Sequence, residues 1–125
     1  MCIRDSYEYG EDGSKAIWPG LMDLYFNADA SVAEDDMKDR LLFRQVIEAL
    51  KCLETNVLRT VADGNIGSIM GIGAPAWTGG LIQFVNTYGL ERFSARCAEL
   101  ANQYGDRFDA PAIVGEKIAA GETFA

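Results

Sequence analysis

The segment of residues 64–90 contains no charged side chain, although 24% of the chain is charged. Such a gap indicates burial, since removing a charged group from water is costly. A membrane-spanning helix is excluded, because it needs about 20 continuous apolar residues, whereas seven glycines and Pro75 interrupt this run. The pattern predicts two short buried helices joined by a non-helical turn from Gly71 to Gly80. A turn of this kind serves either in packing or as a seat for a ligand.

A long helix is predicted over residues 32–54, a stretch without Gly or Pro. Ser31 and Glu34 match a capping box, in which hydroxyl and carboxylate accept from backbone N–H groups at the helix start. Two apolar strips follow the helical period. Because both sides are apolar, this helix is expected to lie between neighbours as the spine of a bundle. The broad strip holds Leu42, Val46, Ala49, Leu50, Leu53 and Val57, and the thin strip holds Met37, Leu41 and Cys52.

Shorter helices are predicted around this spine. One begins at Pro19, and another lies within residues 57–70 with Asp63 near its start. Three more cover residues 81–88, 90–104 and about 111–121, each followed by a glycine that ends it. The helix over residues 90–104 carries one narrow apolar stripe, formed by Phe93, Cys97, Leu100 and Tyr104. No alternating strand pattern is found, so the predicted fold class is all-α, a compact multi-helix bundle.

The domain organisation follows from these elements. Residues 1–6 show no periodicity, residues 7–30 form an acidic lead-in with the short helix, and residues 31–125 form the helical domain. No repeat or low-complexity run interrupts them. One domain of this length is large enough to bury a core without disulfides or a metal.

Composition excludes several functions. A net charge of −8 and a sequence pI near 4.4 argue against binding to nucleic acid or an anionic membrane. Histidine is absent, which removes imidazole acid–base catalysis, Ser–His or Cys–His nucleophiles and His-ligated metals. Three cysteines without a C-x-x-C spacing indicate free thiols in a reducing compartment. No secretory signal opens the chain, so the predicted location is cytoplasmic.

The remaining candidate residues have competing interpretations. Glycines 71 and 73 lack the strand and third glycine of a dinucleotide loop, so tight packing is favoured. The carboxylates at 34–36 and 39 are better explained by the positive end of the helix dipole than by a cation site. Arg40, Arg44 and Lys51 form a basic ridge that is favoured as a solvated face over a phosphate site. Trp77 is either a contact for a partner or ligand, or a core residue. No catalytic set and no metal site is predicted.

Five ordered sequence blocks resemble the C-terminal helical domain of bacterial 3-hydroxyacyl-CoA dehydrogenases. The likeness is greatest to the last of the two helical repeats in the multifunctional enoyl-CoA hydratase/3-hydroxyacyl-CoA dehydrogenase of fatty-acid β-oxidation, and it runs over residues 7–124. The blocks are DRLLF (39–43), EALKCLE (48–54), VADGNIGS (61–68), GIGAPAWTGG (71–80) and GETF (121–124).

This resemblance implies a fold like the C-terminal domain of 6-phosphogluconate dehydrogenase and a role within a larger enzyme. In the family, the catalytic His–Glu pair and the NAD-binding Rossmann fold lie in upstream domains, so this chain is expected to bind no cofactor and to be inactive alone. Its expected partners are those NAD-binding and helical domains, a second copy of the chain, and acyl-CoA in the cleft that the helical domains complete. The resemblance makes six residues of the turn candidates for an interface or the substrate cleft, namely Gly71, Gly73, Pro75, Trp77, Gly79 and Gly80.

Two departures from the family stand out. Residues 1–6 do not resemble its glycine-rich linker, so the expected explanation is a cloning or gene-calling boundary at the start. Ala74 and Ala76 occupy positions where the family carries Phe and Pro, which leaves the turn less bulky. The alternative function is a free-standing helical module that dimerises or binds a partner through its uncharged segment. An autonomous enzyme is disfavoured, because no acid–base pair is available.

Overall fold

The computed structural model describes residues 6–125, so Cys2 and nearly all of the aperiodic start lie outside the described residues. Within this part, 64% of the chain is helical and 5% is strand, in agreement with the predicted all-α bundle. No helix among the described residues has both the length and the apolar character needed to cross a membrane. The chain forms two compact units, which meet in sequence between Val32 and Ala33 and are described separately.

The first unit contains a β-hairpin that the sequence analysis did not predict. Strand β1 (Tyr7–Tyr9) pairs antiparallel with β2 (Lys15–Ile17), with Tyr7 opposite Ile17. Asp12 accepts a hydrogen bond from the Ser14 N–H at 3.0 Å in the connecting turn. Three-residue strands are too short to display an alternating pattern, which explains the error. Helix α1 (Gly20–Tyr25) follows Pro19, as predicted.

The second unit contains five further helices, close to the predicted positions. Gly89 separates α4 (Leu81–Tyr88) from α5 (Leu90–Tyr104), and Gly105 and Gly121 follow α5 and α6 (Ala112–Ala120) as expected. Short 3-10 turns occupy Ala76–Thr78 and Asp106–Phe108. The helices are α2 (Glu34–Glu54), α3 (Val61–Ile72), α4 (Leu81–Tyr88), α5 (Leu90–Tyr104) and α6 (Ala112–Ala120).

The predicted capping box at the start of α2 is wrong. The N-cap is Ala33, which has no side chain to accept a hydrogen bond, and Ser31 lies outside the helix. Glu34 is instead the first helical residue, and its carboxylate pairs with Lys38 at 2.7 Å. The helix start is therefore supported by acidic residues in its first turn, which complement the helix dipole.

Helix α2 is the spine of the bundle, as predicted, and packs against α3, α4, α5 and α6. Phe43 lies at the centre of the core, stacked on Phe93 at 4.8 Å between ring centroids and edge-on to Phe84 at 5.9 Å. The buried face of α2 is centred on Phe43, Val46, Ile47 and Leu50. The edges of this face are formed by Leu42, Ala49 and Leu53. The predicted broad strip was thus placed slightly off the true centre, and Val57 lies outside the helix.

The predicted thin strip of α2 does not lie against a neighbour along its whole length. Met37 and Leu41 are 47% and 73% exposed, while Cys52 is half-buried. The stripe predicted on α5 is confirmed, since Phe93, Cys97 and Leu100 are fully buried and Tyr104 is half-buried.

Candidate functional site

The uncharged segment is buried mainly in its second half. In α4, Leu81, Ile82 and Val85 lie in the core. In α3, only Gly64 and Ser68 are buried, and Ile66 and Met70 are 64% and 81% exposed. The prediction that both helices are buried is therefore wrong for α3. Absence of charge permits burial but does not require it, because apolar side chains also occupy much of a protein surface.

The segment 71–80 is also more helical and more exposed than predicted. Gly71 and Ile72 belong to the last turn of α3, and Ala76–Thr78 forms a 3-10 turn. Gly73 ends α3 in the left-handed conformation with φ of 71°, and Gly79 ends the 3-10 turn with φ of 73°. Ala74, Thr78 and Gly80 are the only residues of the segment that are buried.

Two side chains of α3 cap the N-terminus of α4. The Asn65 side-chain oxygen accepts from the N–H groups of Ile82 at 3.1 Å and Gln83 at 2.8 Å. The Ser68 hydroxyl accepts from the N–H of Leu81 at 3.1 Å and donates to the Asn65 carbonyl at 2.8 Å. These bonds satisfy N–H groups that have no partner within the first turn of α4. The segment is therefore a joint that fixes α4 against α3.

Gly80 is required for the close approach at this joint. It has a φ of 110°, and a Cβ atom there would lie 2.5 Å from the Cα of Asn65. Thr78 supports the same turn, because its hydroxyl donates to the Pro75 carbonyl at 2.7 Å and accepts from the Gly80 N–H at 3.1 Å. Of the six candidate residues, Gly73, Gly79 and Gly80 therefore allow the backbone to turn between α3 and α4.

The other three candidates face solvent. Trp77 is 76% exposed, and its ring lies edge-on to that of the core residue Phe84 with 6.5 Å between centroids, so its interpretation as a core residue is wrong. Pro75 is exposed, and a Cβ added at Gly71 would meet nothing within 4 Å. These residues do not converge on one cavity.

A groove that the sequence did not reveal lies between α2 and α3. Its volume is about 480 Å³. Ala49 and Cys52 line it from α2, and Gly64 and Gly67 line it from α3, while Val57 and Leu58 close one end. Its glycine wall was visible in the sequence, but the pairing of that wall with α2 depends on tertiary packing.

The predicted carboxylate cluster is part of an ion-pair network. Arg96 of α5 donates to Asp36 at 2.5 Å, to Asp39 at 2.7 Å and to Glu99 at 2.9 Å. Tyr104 donates its hydroxyl to Asp36 at 2.8 Å. The hydrogen bonds from Arg96 and Tyr104 lower the pKa of Asp36, and the bond to Asp36 raises the pKa of Tyr104. The network joins α2 to α5, and sequence spacing gave no sign of Arg96 as its centre.

The predicted basic ridge is partly neutralised. Arg44 and Lys51 contact Glu48 at 2.5 and 3.5 Å, and their side chains are 39% and 45% exposed. The guanidinium of Arg40 instead lies over the ring of Tyr104, at 4.2 Å from its centroid.

The buried cysteine of α5, Cys97, is not an activated nucleophile. Burial raises the pKa of the Cys97 thiol to about 12, so it is protonated and unreactive at neutral pH. No group of three or more Cys, Asp or Glu side chains within residues 6–125 is arranged to hold a metal ion. The segment 71–80 therefore acts as a joint between α3 and α4, and exposed apolar side chains lie beside it.

No protein-family model matches the chain.

Proposed function

We propose that this chain is the C-terminal helical domain of a 3-hydroxyacyl-CoA dehydrogenase of fatty-acid β-oxidation, with a fold like the C-terminal domain of 6-phosphogluconate dehydrogenase. Its role is to complete the acyl-CoA cleft and to pack against the NAD-binding and helical domains of the parent enzyme. The observation that carries the proposal is the resemblance of five ordered sequence blocks to that domain.

The positions of these blocks in the fold support the proposal. The third block supplies Asn65 and Ser68, and the fourth supplies the turn that they hold against α4. The last block ends in Phe124, which is buried. Its backbone donates to the Asn86 side chain at 3.0 Å and accepts from it at 2.7 Å. The resembling residues are thus those on which the packing of α3, α4 and the C-terminal tail depends.

The chemistry of the chain also fits a non-catalytic domain. The chain has no histidine, and the carboxylates of Asp36 and Asp39 are engaged by Arg96. Hydride transfer to NAD and proton abstraction from a hydroxyl group are therefore assigned to the NAD domain of the parent enzyme, and the helical domain contributes surface.

The test is complementation in solution. The chain is added to a bacterial 3-hydroxyacyl-CoA dehydrogenase from which the helical domain has been removed, and NADH production from a 3-hydroxyacyl-CoA is followed. We expect activity only in the mixture, with a dependence on the concentration of the added chain. The Gly80→Ala variant, which disturbs the joint, is expected to lose this effect. No association at micromolar concentrations contradicts the proposal.

The second candidate is a free-standing interaction module, which the exposure of Ile66, Met70 and Trp77 favours. Failure of complementation together with tight binding to an unrelated protein through this surface supports that candidate. The two functions are thus separated by whether the NAD domain gains activity.

A further inference from the structure

The outer face of α2 is bordered by two cavities that share a wall. The first is the groove between α2 and α3 described above. The second has a volume of about 660 Å³ and lies between α2 and the 3-10 turn that contains Arg107 and Phe108. Arg44 and Gln45 line both cavities, so the two lie end to end along one face of α2 as a single surface groove, which the Arg44 side chain crosses where it donates to the Arg107 carbonyl at 3.3 Å. We call it the α2 groove. It extends from Met37 to Cys52, which at 1.5 Å per residue is about 22 Å, or four helical turns.

The two ends of the α2 groove differ in charge. At the first end, three arginines line the wall without a carboxylate, namely Arg40, Arg44 and Arg107. Arg44 is paired with Glu48 and donates to the Arg107 carbonyl, and the Arg40 guanidinium lies over the Tyr104 ring. No salt bridge in the described part of the chain involves Arg40 or Arg107, so their positive charges are not neutralised by direct ion pairs. This concentration of positive charge occurs in a protein whose net charge is −8.

Exposed apolar side chains accompany the arginines. Met37 and Leu41 project from the same strip of α2, one turn apart, and Phe108 forms the opposite wall. The second end of the groove is mainly apolar, with Ala49, Cys52 and Ile72 among its lining, although Asp63 also borders it. The apolar wall therefore continues along the whole groove, while the positive charge is confined to one end.

We infer that the α2 groove binds a helix of a partner polypeptide, about four turns long, with one apolar face and with Asp or Glu side chains at one end only. An amphipathic helix buries its apolar side chains at helical spacing in a groove of this kind. The carboxylates of the partner lie at the end that contains Arg40 and Arg107. Asp63 lines the opposite end, where a second set of carboxylates is repelled.

Length and charge distinguish this occupant from others. A compact ligand fills only a small part of a groove that is four helical turns long. A basic helix is repelled by the arginines. A second copy of α2 is a poorer match: in a parallel arrangement the two arginine ends meet, and in an antiparallel arrangement three arginines meet a mainly apolar end whose lining carries only Asp63 and the already paired Glu48. The inference does not depend on the proposed function, because it uses only the geometry of α2 and its neighbours.

Glycine at position 67 allows the groove to be blocked without disturbing the core. A Cβ added at Gly67 meets nothing within 4 Å, and Gly67 lines the groove. Gly67→Leu therefore fills the groove while replacing glycine by a better helix former. Gly115→Leu is the matched control, because Gly115 also lies in a helix, has open space at its Cβ and does not line the groove.

The charge is tested by a second pair of variants. Arg40→Gln/Arg107→Gln removes two positive charges from the groove. Arg92→Gln/Lys117→Gln removes the same net charge from positions that do not line it. Any effect of net charge alone is therefore equal in the two double variants.

The probe is a displayed library of random 16-residue peptides, selected on the chain and then synthesised with a fluorophore for anisotropy. We expect the selected peptides to have apolar residues at helical spacing and acidic residues at one end. Their affinity should fall at least tenfold for Gly67→Leu and for Arg40→Gln/Arg107→Gln, and less than twofold for the two controls. In a Cys2→Ser background, bound peptide should also slow the reaction of Cys52 with a thiol reagent at least tenfold.

Several results overturn the inference. These are the absence of selected peptides, selection of basic or non-amphipathic peptides, and binding that is equal in the groove variants and their controls. Dimerisation of the chain that Gly67→Leu abolishes assigns the groove to a second copy. Saturable binding of laurate that Gly67→Leu abolishes, with no peptide selected, assigns it to a small amphiphile. None of these results depends on whether the chain complements an NAD domain, so the two proposals fail separately.

Discussion

The side chain of Asn65 is the element of the joint whose removal is most informative. In Asn65→Ala, the N–H groups of Ile82 and Gln83 lose their acceptor, which lies at 3.1 and 2.8 Å in the wild type. Loss of a helix N-cap costs about 1 kcal/mol. A buried donor left without a partner costs about 1 to 3 kcal/mol, and both bonds here are part-buried. We therefore expect the free energy of unfolding to fall by about 2 to 3 kcal/mol.

Asn65→Asp is the matched control. It keeps an oxygen in the same position and adds negative charge at the N-terminus of α4, where charge of this sign is favourable by about 0.3 to 1 kcal/mol. Urea unfolding followed by far-ultraviolet circular dichroism measures both variants. The reasoning is refuted by an Asn65→Ala variant within about 0.5 kcal/mol of the wild type, a change typical of neutral surface substitutions. It is equally refuted by an Asn65→Asp variant that is as unstable as Asn65→Ala.

Three further predictions use the same unfolding measurement. Gly79→Ala should cost about 1 to 2 kcal/mol for its left-handed backbone, whereas Gly80→Ala should cost more because its Cβ meets the Asn65 backbone at 2.5 Å; equal losses contradict the close approach. Leu50→Ala should cost about 2 to 5 kcal/mol in the fully buried core, and Leu41→Ala, at an exposed position, should stay within about 0.5 kcal/mol; similar losses at both sites contradict the burial pattern. Asp36 has a lowered pKa in the folded state, so its stabilising effect is complete above the ordinary Asp value of 3.8 and is lost as pH falls through the folded pKa. Arg96→Met should flatten this acid dependence of stability, and an unchanged pH profile contradicts the ion-pair network.

The helical period predicted the elements of the fold better than their contacts. Gly89, Gly105 and Gly121 marked helix ends correctly, because a glycine at these points relieves the backbone whatever surrounds it. The capping-box prediction was wrong because a local motif shows only that a cap could form at Ser31. The helix begins at Glu34 instead. The hairpin of β1 and β2 was not predicted, because a strand of three residues is too short to show an alternating pattern.

The candidate site was predicted in part. The importance of Gly80 could be read from a glycine-rich turn, but its reason could not, because the atom that excludes a side chain belongs to Asn65, fifteen positions earlier. Asn65 and Ser68 were not among the candidate residues, since their partners are backbone groups that no sequence pattern displays. The α2 groove was missed although its residues were recognised. The thin apolar strip of α2 was identified from the sequence, but it was expected to be covered by a neighbouring helix.

Helices α3 and α4 are both poor in charge, with Asp63 of α3 as their single charged residue, yet they use their apolar residues in opposite ways. Helix α4 directs Leu81, Ile82 and Val85 into the core. Helix α3 directs Gly64 and Ser68 inward, so that Gly64 approaches the Ile82 side chain closely, with a Cβ there only 2.5 Å from its Cδ1.

The large side chains of α3 consequently remain in water. Each Å² of apolar surface left exposed forgoes about 25 cal/mol of stabilisation, and Ile66 and Met70 are both more than half exposed. An apolar surface of this kind gains that stabilisation only when another polypeptide covers it. If the proposed partner domain covers Ile66 and Met70, binding supplies the burial that folding of α3 leaves undone, and the same argument applies to the uncovered strip of α2.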